Sequence, residues 1–479
     1  MKLLFAAAEC APFFKTGGLG DVAGTLPNVL ANEGVETVVV LPYFTKMSEE
    51  KKKQLENVSN FVVNVGWRQQ YCGIKRLIED KVTYYFIDNL YYFDRENLYG
   101  YYDDGERFAF FQMAIIELME KINFIPDILH VNDYHTAMIP CLLKEKYHWV
   151  QAYQGIQTVL TIHNIQFQGQ YGREILPDLF GMGTERYDDG TLRLGDAVNF
   201  MKAGILYADR ITTVSPSYAQ EIQSTEFGCG LEVILRMEAG KLSGILNGID
   251  YKANDPETDP VLTTHYSMKD LSGKQENKLA LQKTVGLEQN SAVPLIGVVS
   301  RLTYQKGFHL LIDEFENLLQ MDVQFVLLGT GDPDFERGFT EIAQRYPQKS
   351  AVVIDFDIGL AQKIYASADL FLMPSSFEPC GLSQMIAMRY GTLPLVHEVG
   401  GLKDTVIPYD PIEGKGTGFG FQEFSSFRFM ECIKKAVDLY HFSPRTWQEM
   451  AQAAMKQDFS WTNSSRQYLD LYQQLANVE

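Results

Sequence analysis

Ten short apolar runs, five in each half of the chain, restrict the fold more than any other feature of this sequence. The first five are "KLLFAAAE", "ETVVVLP", "DILHVND", "TVLTIHN" and "DRITTVS". The second five are "PLIGVVSRL", "VQFVLLGTG", "SAVVIDFD", "ADLFLMPSS" and "TLPLVHEVG". They are solidly apolar rather than alternating, as strands buried on both faces of a parallel sheet must be. Segments with helical spacing follow most of them, as in "GERFAFFQMAIIELMEKI". The pattern predicts an α/β fold. Inserted in the first set, "FVVNVGWRQQYCGIKRLIEDKVTYYFID" reads as three shorter runs, an antiparallel meander at the sheet's edge. Near residue 244, "SGILNGIDYKANDPETDP" runs from an apolar strand into an Asn-Gly turn and a polar, Pro-punctuated linker. The expected organisation is therefore a first lobe over 1–244, a second over 245–457, and a C-terminal helix within 458–479 packing back toward the first lobe. Two such lobes face a central cleft, and ligands bind outside the carboxyl ends of their strands.

The chain has 479 residues, enough for two or three domains. Its 42 basic and 61 acidic residues give a formal charge of −19, which argues against nucleic acid or an anionic membrane as partner. A phosphate-bearing ligand then requires a local cationic patch. Six dispersed cysteines without a C-x-x-C pair fit reduced thiols. The first residues lack the form of a signal peptide, and no apolar stretch approaches the ~20 residues of a membrane span. A cytoplasmic protein is expected.

The unusual polar residues fall at the predicted carboxyl ends of strands. In "VVSRLTYQKGFHLLIDEF", Arg301 and Lys306 follow a strand and precede Gly307 and a helix. Two cations beside a helix N-terminus make an anion site, although solvated surface cations are the common alternative. In "MPSSFEPCGLSQMIAMRYG", Glu378 either accepts sugar hydroxyls or caps the following helix. "HEVGGLKDTV" offers a Gly-Gly turn whose backbone N–H groups are placed to cradle phosphate. In the first half, "HVNDYHT" puts Asp133 and His135 after one strand, and "TIHNIQFQG" puts His163 after another. No G-x-S-x-G elbow is present. The acidic pairs Asp103–Asp104 and Asp188–Asp189 sit in Tyr-Asp-Asp-Gly turns, and no spacing matches a zinc site, so neither a metal nor a separate cofactor is expected. Near the start, "KTGGLGDV" has glycines in a G-G-x-G pattern, and no acid closes the next strand to hold a ribose. A nicotinamide oxidoreductase is disfavoured.

Taken together, these stretches resemble the bacterial glycogen synthase and starch synthase family, retaining glucosyltransferases of the GT-B type with two Rossmann-like lobes. The matching residues are "KTGGLGDV" (15–22), "HVNDYHT" (130–136), "TIHNIQFQG" (161–169), "STEFGCGLE" (224–232), "GKLSGILNGID" (240–250), "SRLTYQKG" (300–307), "EPCGL" (378–382) and "GGLKDTV" (400–406). The resemblance covers essentially the whole chain. It implies transfer of glucose from a nucleotide-diphosphate donor to the 4-hydroxyl at the non-reducing end of an α-1,4-glucan, with retention. Arg301 and Lys306 match cations that stabilise the leaving phosphates. Lys15, Gly17, Gly18 and Asp21 match a glycine-rich loop that closes over the donor from the other lobe. Glu378 matches the acid that positions donor-sugar hydroxyls, with Gly381 and Leu382 beside it and Gly400 and Gly401 beyond. His163 and Asp133 match first-lobe residues around the sugar, and Asn247 lies in the matching interlobe loop. Family members are described with a same-face mechanism, so no nucleophile is assigned. Lobe closure on donor binding is expected.

Two departures accompany the match. Where relatives usually have Thr before the last Gly-Gly and Arg shortly before it, Val399 and His397 stand here; Ile386 stands where the wider superfamily has a second Glu. The resemblance to the bacterial and plant group, with no transit segment before Met1, implies an ADP-glucose donor and a glycogen acceptor. Remaining alternatives are a related transferase with another acceptor and a non-catalytic glucan- or nucleotide-sugar-binding paralogue. The tyrosines of "YYFDRENLYGYYDDGERF" are placed either to stack on glucan or to pack.

Overall fold

The computed structural model describes residues 1–477, so Val478 and Glu479 of the expected C-terminal segment lie outside the described residues. The chain divides into two compact units: Met1–Leu246 with the segment from Trp461 onward, and Asn247–Ser460.

The first unit is built on a nine-stranded sheet. Its strands are β1 (Lys2–Ala6), β2 (Glu36–Pro42), β3 (Glu56–Val65), β4 (Arg68–Glu79), β5 (Val82–Asp88), β6 (Ile128–Asn132) and β7 (Gln157–Ile162). Three short strands then form a separate small sheet: β8 (Gln170–Tyr171), β9 (Arg193–Leu194) and β10 (Ala197–Asn199). At two or three residues each they leave no apolar run to read. β11 (Arg210–Thr213) and β12 (Leu242–Gly244) complete the large sheet, whose order is β12-β11-β7-β6-β1-β2-β5-β4-β3. Leu3 to Ala8 are fully buried, as a solid apolar run inside a doubly covered sheet requires. The edge insertion differs from expectation in two ways. β3 and β4, at 10 and 12 residues, are the longest strands of the sheet rather than short ones. And β5, though antiparallel to β4, pairs parallel to β2, so it belongs as much to the parallel core as to the meander.

The second unit carries an all-parallel sheet of β13 (Leu295–Val299), β14 (Gln324–Leu328), β15 (Ser350–Val353), β16 (Leu370–Met373), β17 (Leu393–His397) and β18 (Phe419–Phe421). Their order is β15-β14-β13-β16-β17-β18. Before it, residues 245–250 contain no turn, so Asn247-Gly248 is not the turn its dipeptide signals.

Strand order matters most for the site. In the first unit β2 to β5 all lie on one side of β1, and the chain then restarts at β6 on the other side. In the second it does the same between β13 and β16. Each reversal leaves a crevice at the carboxyl ends of two neighbouring strands, because the connections on either side lead to opposite faces of the sheet.

The helix Trp461–Ala476 returns to the first unit. Trp461, Tyr468, Leu471 and Tyr472, at helical spacing, are all buried. The Tyr472 hydroxyl lies 2.5 Å from His130 Nδ1, whose Nε2 lies 2.6 Å from the Thr161 hydroxyl, itself 2.6 Å from that of Thr212. This buried polar chain crosses β6, β7 and β11, so His130 of the "HVND" stretch serves the core. Among the described residues no helix is long and apolar enough to cross a membrane.

Candidate functional site

In the first unit the polar residues gather at the β1/β6 reversal. Glu9, three residues past the end of the apolar run's strand and almost fully buried, is the centre of this half. One of its oxygens, Oε1, accepts from the N–H groups of Gly17 and Gly20, each at 3.1 Å. The other, Oε2, accepts from the Thr16 N–H (3.3 Å), the Thr16 hydroxyl (2.7 Å) and the Tyr99 hydroxyl (2.8 Å). The helix Gly18–Asn32 has no capping side chain at Gly17, and Glu9 supplies the missing acceptor from outside. Gly18 is already helical, so the expected open glycine loop is confined to Thr16 and Gly17. A Cβ added at Gly17 or Gly18 meets nothing within 4 Å, whereas one at Gly20 would sit 2.4 Å from Lys15 Cβ. Gly20 is needed by the protein itself; Gly17 and Gly18 leave open space. The half-exposed Lys15 ammonium pairs with Asp21 at 2.7 Å.

Asp133 follows β6 with φ +57° and ψ −174°, a backbone conformation that L-residues rarely adopt. Its Oδ1 accepts from the His163 N–H at 2.7 Å and so fixes the chain after β7. Burial pushes the Asp133 carboxyl up to about 7, opposed by N–H groups of His163 and Asn164 and reinforced by the charge of Glu9. Burial also holds His163 down at about 3, so its ring is neutral at pH 7. The tautomer follows from the next residue outward. Asn132 Nδ2 donates to the Ala6 carbonyl (3.0 Å), which turns Oδ1 toward His163 Nε2 at 2.9 Å. Nε2 therefore carries the proton and Nδ1 keeps a lone pair for a donor. His135 is buried, with neither ring nitrogen hydrogen-bonded, stacked on Tyr99 at 4.5 Å and held down at about 3 by burial.

In the second unit the β13/β16 reversal gathers the cations and the acid. Arg301 is exposed just past β13. The Lys306 ammonium reaches both oxygens of Glu378, at 3.0 and 2.8 Å, and the Ser375 hydroxyl donates to Oε2 at 2.9 Å. Gly307, at φ +79°, lets this loop pass the end of β16, since a Cβ there would lie 1.8 Å from the Pro374 carbonyl oxygen. Asn247 packs alongside: its backbone N–H bonds the Cys380 sulfur, and its Oδ1 is buried without a hydrogen-bond partner.

The glycines at 400 and 401 turn out to have an internal reason. A Cβ at Gly400 would lie 1.8 Å from the Glu378 carbonyl oxygen, and one at Gly401 would lie 2.0 Å from that of Cys380. The Gly401 N–H donates to the carbonyls of Glu378 (3.1 Å) and Pro379 (3.2 Å), so it is spent on the loop that carries Glu378. Gly381, at φ +75°, and Leu382 lead that loop into the helix Ser383–Arg389. Val399 is buried and precedes the helix Gly400–Thr405.

Sequence reasoning missed Glu9, Ser375, Asn132 and Tyr99. Glu9 was visible only as an interruption of an apolar run; a lone acid at a buried strand's carboxyl end was the available signal. Ser375 and Asn132 are small polar residues whose partners are distant in sequence. Of the tyrosines over 91–108, Tyr92 is fully buried and Tyr99 serves Glu9, while Tyr91 and Tyr102 are exposed. Tyr102 and Asp103 form a turn that leads into the helix Asp104–Lys121, and Asp103 and Asp104 pair with Arg95 and Arg107. Among the described residues no group of three or more His, Cys, Asp or Glu is placed to hold a metal ion.

Comparison with known proteins agrees along the whole chain. The family model described as the starch synthase catalytic domain matches residues 2–237, and that for group 1 glycosyl transferases matches 284–456. A glycogen synthase of Ligilactobacillus salivarius (strain UCC118) is 63% identical over 477 residues, 99% of this chain and 100% of its own. One from Streptococcus agalactiae serotype III (strain NEM316) is 60% identical over 475 residues, again 99% and 100%. The solved catalytic domain of starch synthase IV from Arabidopsis thaliana, bound to ADP and acarbose, superposes with a TM-score of 0.91 at 34% identity, covering 99% of both chains. Sucrose-phosphate synthase from Thermosynechococcus elongatus, at 19% identity and TM-score 0.62 over 100% of both chains, shares the fold.

Proposed function

Because the chain belongs to the starch and glycogen synthase family of glucosyltransferases, we propose that it moves glucose from ADP-glucose to the non-reducing end of an α-1,4-glucan, with retention, and so elongates glycogen in the cytoplasm. The observation that carries this reading is the Lys306–Glu378 pair at a topological switch point, with Arg301 at the adjacent strand end.

The chemistry asks for positive charge where the leaving diphosphate gains negative charge. Lys306 has three N–H donors, two of them directed at the Glu378 oxygens, which leaves one for a phosphate oxygen. Arg301 adds a planar donor set suited to phosphate. Glu378, held from below by Ser375 and Lys306, retains acceptor capacity for hydroxyls of the donor glucose. Asn247 Oδ1 is a second acceptor awaiting a hydroxyl. The exposed faces of Tyr304 past β13 and Phe356 past β15 are candidates for stacking on the adenine.

From the first unit, Lys15 and the open backbone at Gly17–Gly18 serve the donor, with Asp21 setting the lysine's position. His163 is neutral and accepts at Nδ1, so it orients a sugar hydroxyl and does not deliver a proton. Asp133 acts through it, by holding its backbone. Gly381, Leu382, Gly400 and Gly401 shape the Glu378 loop.

The test is transfer of radiolabelled glucose to glycogen, with ADP-glucose and UDP-glucose run in parallel. Transfer from ADP-glucose is expected, with kcat falling by about 10²–10³ in Lys306→Ala and Glu378→Ala. Labelling from neither donor overturns the reading.

A further inference from the structure

A cavity of about 760 Å³ opens at the amino edge of the second unit's sheet, where Asp369 leads into β16 and Gly391 leads toward β17. Its size lies within the range of small-molecule sites, about 300–1,000 Å³. β16 runs four residues from there toward the Glu378 loop, so about 13 Å of strand separates the cavity from the donor chemistry. The helices Ser272–Val285 and Pro444–Lys456 both start at its wall. The rings of Tyr440 and Trp447, edge to face at 5.2 Å and 84°, stand there among apolar Leu271, Ala292, Pro444 and Ala451.

The buried polar groups decide what fits. Asp369 is almost fully buried, and its Oδ2 takes both the Leu295 N–H and the Lys278 ammonium, each at 2.8 Å. Its Oδ1 makes no hydrogen bond among the described residues, and neither does the indole N–H of Trp447. Lys278 spends its other two N–H groups on the Ser291 carbonyl (3.0 Å) and the Tyr440 hydroxyl (3.1 Å). Lys274, also buried, spends all three on the carbonyls of Ala366 (3.0 Å) and Tyr390 (3.1 Å) and on the Thr392 hydroxyl (2.7 Å). No ammonium at this depth is left for an anion, and an anion would face the free carboxylate oxygen. A cation is disfavoured in turn, because two ammoniums stand behind that one carboxylate. At the rim the exposed Lys269 and Asp270 offset each other, and the side-chain amides of Gln275 and Gln448 are unspent. A free acceptor, a free donor and free amides between aromatic rings, with no charge to match, are met by a neutral hydroxylated ring. We propose that this cavity is a second sugar site, which takes a hexose unit either as a free sugar or as part of a glucan chain. The choice of glucose among hexoses rests on the activity proposed above.

The readout is ¹⁹F NMR of the full chain carrying fluorotryptophan, with the Trp447 signal identified by its loss in Trp447→Phe. Titration with glucose, maltose and maltotriose is expected to move that signal saturably. Equal affinity for the three identifies a free-sugar site, and affinity that rises with each added unit identifies a chain-binding one. Gln275→Ala and Gln448→Ala are each expected to weaken binding by about two- to tenfold. Both are expected to leave kcat and KM for transfer to maltotriose unchanged, since these side chains stand at the far end of the strands from Glu378. A Trp447 signal that no sugar moves overturns the proposal, as does one that inorganic phosphate moves and the sugars do not. Sugar shifts that persist undiminished in both variants place the binding elsewhere and overturn it as well. Absence of glucose transfer would count against the activity alone, because the Trp447 signal reports the cavity with or without turnover.

Discussion

At the scale of single residues, one buried carboxylate organises the start of the chain. Glu9 accepts five hydrogen bonds, two of them from N–H groups at the start of the helix Gly18–Asn32, where Gly17 has no capping side chain. Glu9→Ala leaves the Gly17 N–H without its acceptor, at about 1–3 kcal/mol, while the Gly20 N–H keeps the Gly17 carbonyl. Glu9→Gln keeps an amide oxygen for both and is expected to recover most of that loss in urea denaturation. Phe356 offers a different kind of test, because it touches no catalytic group. Phe356→Ala is expected to weaken ADP binding by about 1–3 kcal/mol, the worth of one stacked base, with unchanged melting temperature. Calorimetry giving the wild-type affinity would remove it from the nucleobase site.

At the scale of elements, glycines at strand–helix junctions divide into two classes. Gly400 and Gly401 are crossed by the backbone of Glu378–Cys380, so any Cβ collides with main chain that cannot move aside. Gly401→Ala is expected to lower the melting temperature and displace the Glu378 loop. Gly17 and Gly18 face open space, Gly17 with an extended φ of −160° and Gly18 inside the first helical turn. Alanine there costs the fold little, and at Gly18 it favours the helix by up to about 1 kcal/mol. Gly17→Ala and Gly18→Ala are thus expected to keep or raise stability while raising KM for the donor. Unchanged KM in both would show that close backbone approach is not their purpose. All four glycines look alike in sequence; the difference lies in what crosses them.

At the scale of the whole molecule, buried histidines set the acid limit. Burial holds His130, His135 and His163 at about 3, against about 6.5 when unfolded. Between those values the unfolded chain binds three protons that the native one does not, so their stabilisation is present above pH 6.5 and lost as pH falls toward 3. Asp133 works the other way: raised to about 7, it favours the native state at low pH and loses that contribution as pH rises through 7. Between about pH 3.8 and 6.5 the net difference is two protons, or about 2.7 kcal/mol per pH unit. Denaturant midpoints measured at intervals across that window are expected to fall steadily with acidity, and a flat profile would contradict the neutral burial of these rings.

Much of this molecule was legible without coordinates. A solid apolar run reads as a buried strand because the property is local, so ten strands and the polar residues at their carboxyl ends were found directly. The same locality explains the misses. Very short strands, the Asn-Gly pair without a turn, and the long hairpin strands β3 and β4 depend on neighbours outside any window of sequence. The sequence by itself determined the class of fold, its two-part organisation and which polar residues stand at the carboxyl ends of the strands. Only the tertiary structure decided which strands lie side by side, and therefore that the polar ends meet at the β1/β6 and β13/β16 reversals. It also decided the tautomer of His163 and the partners of Glu9, because each depends on hydrogen-bonding groups brought together across long stretches of chain. A pattern of hydrophobicity carries which groups are buried; it carries nothing about which polar atoms they face once there.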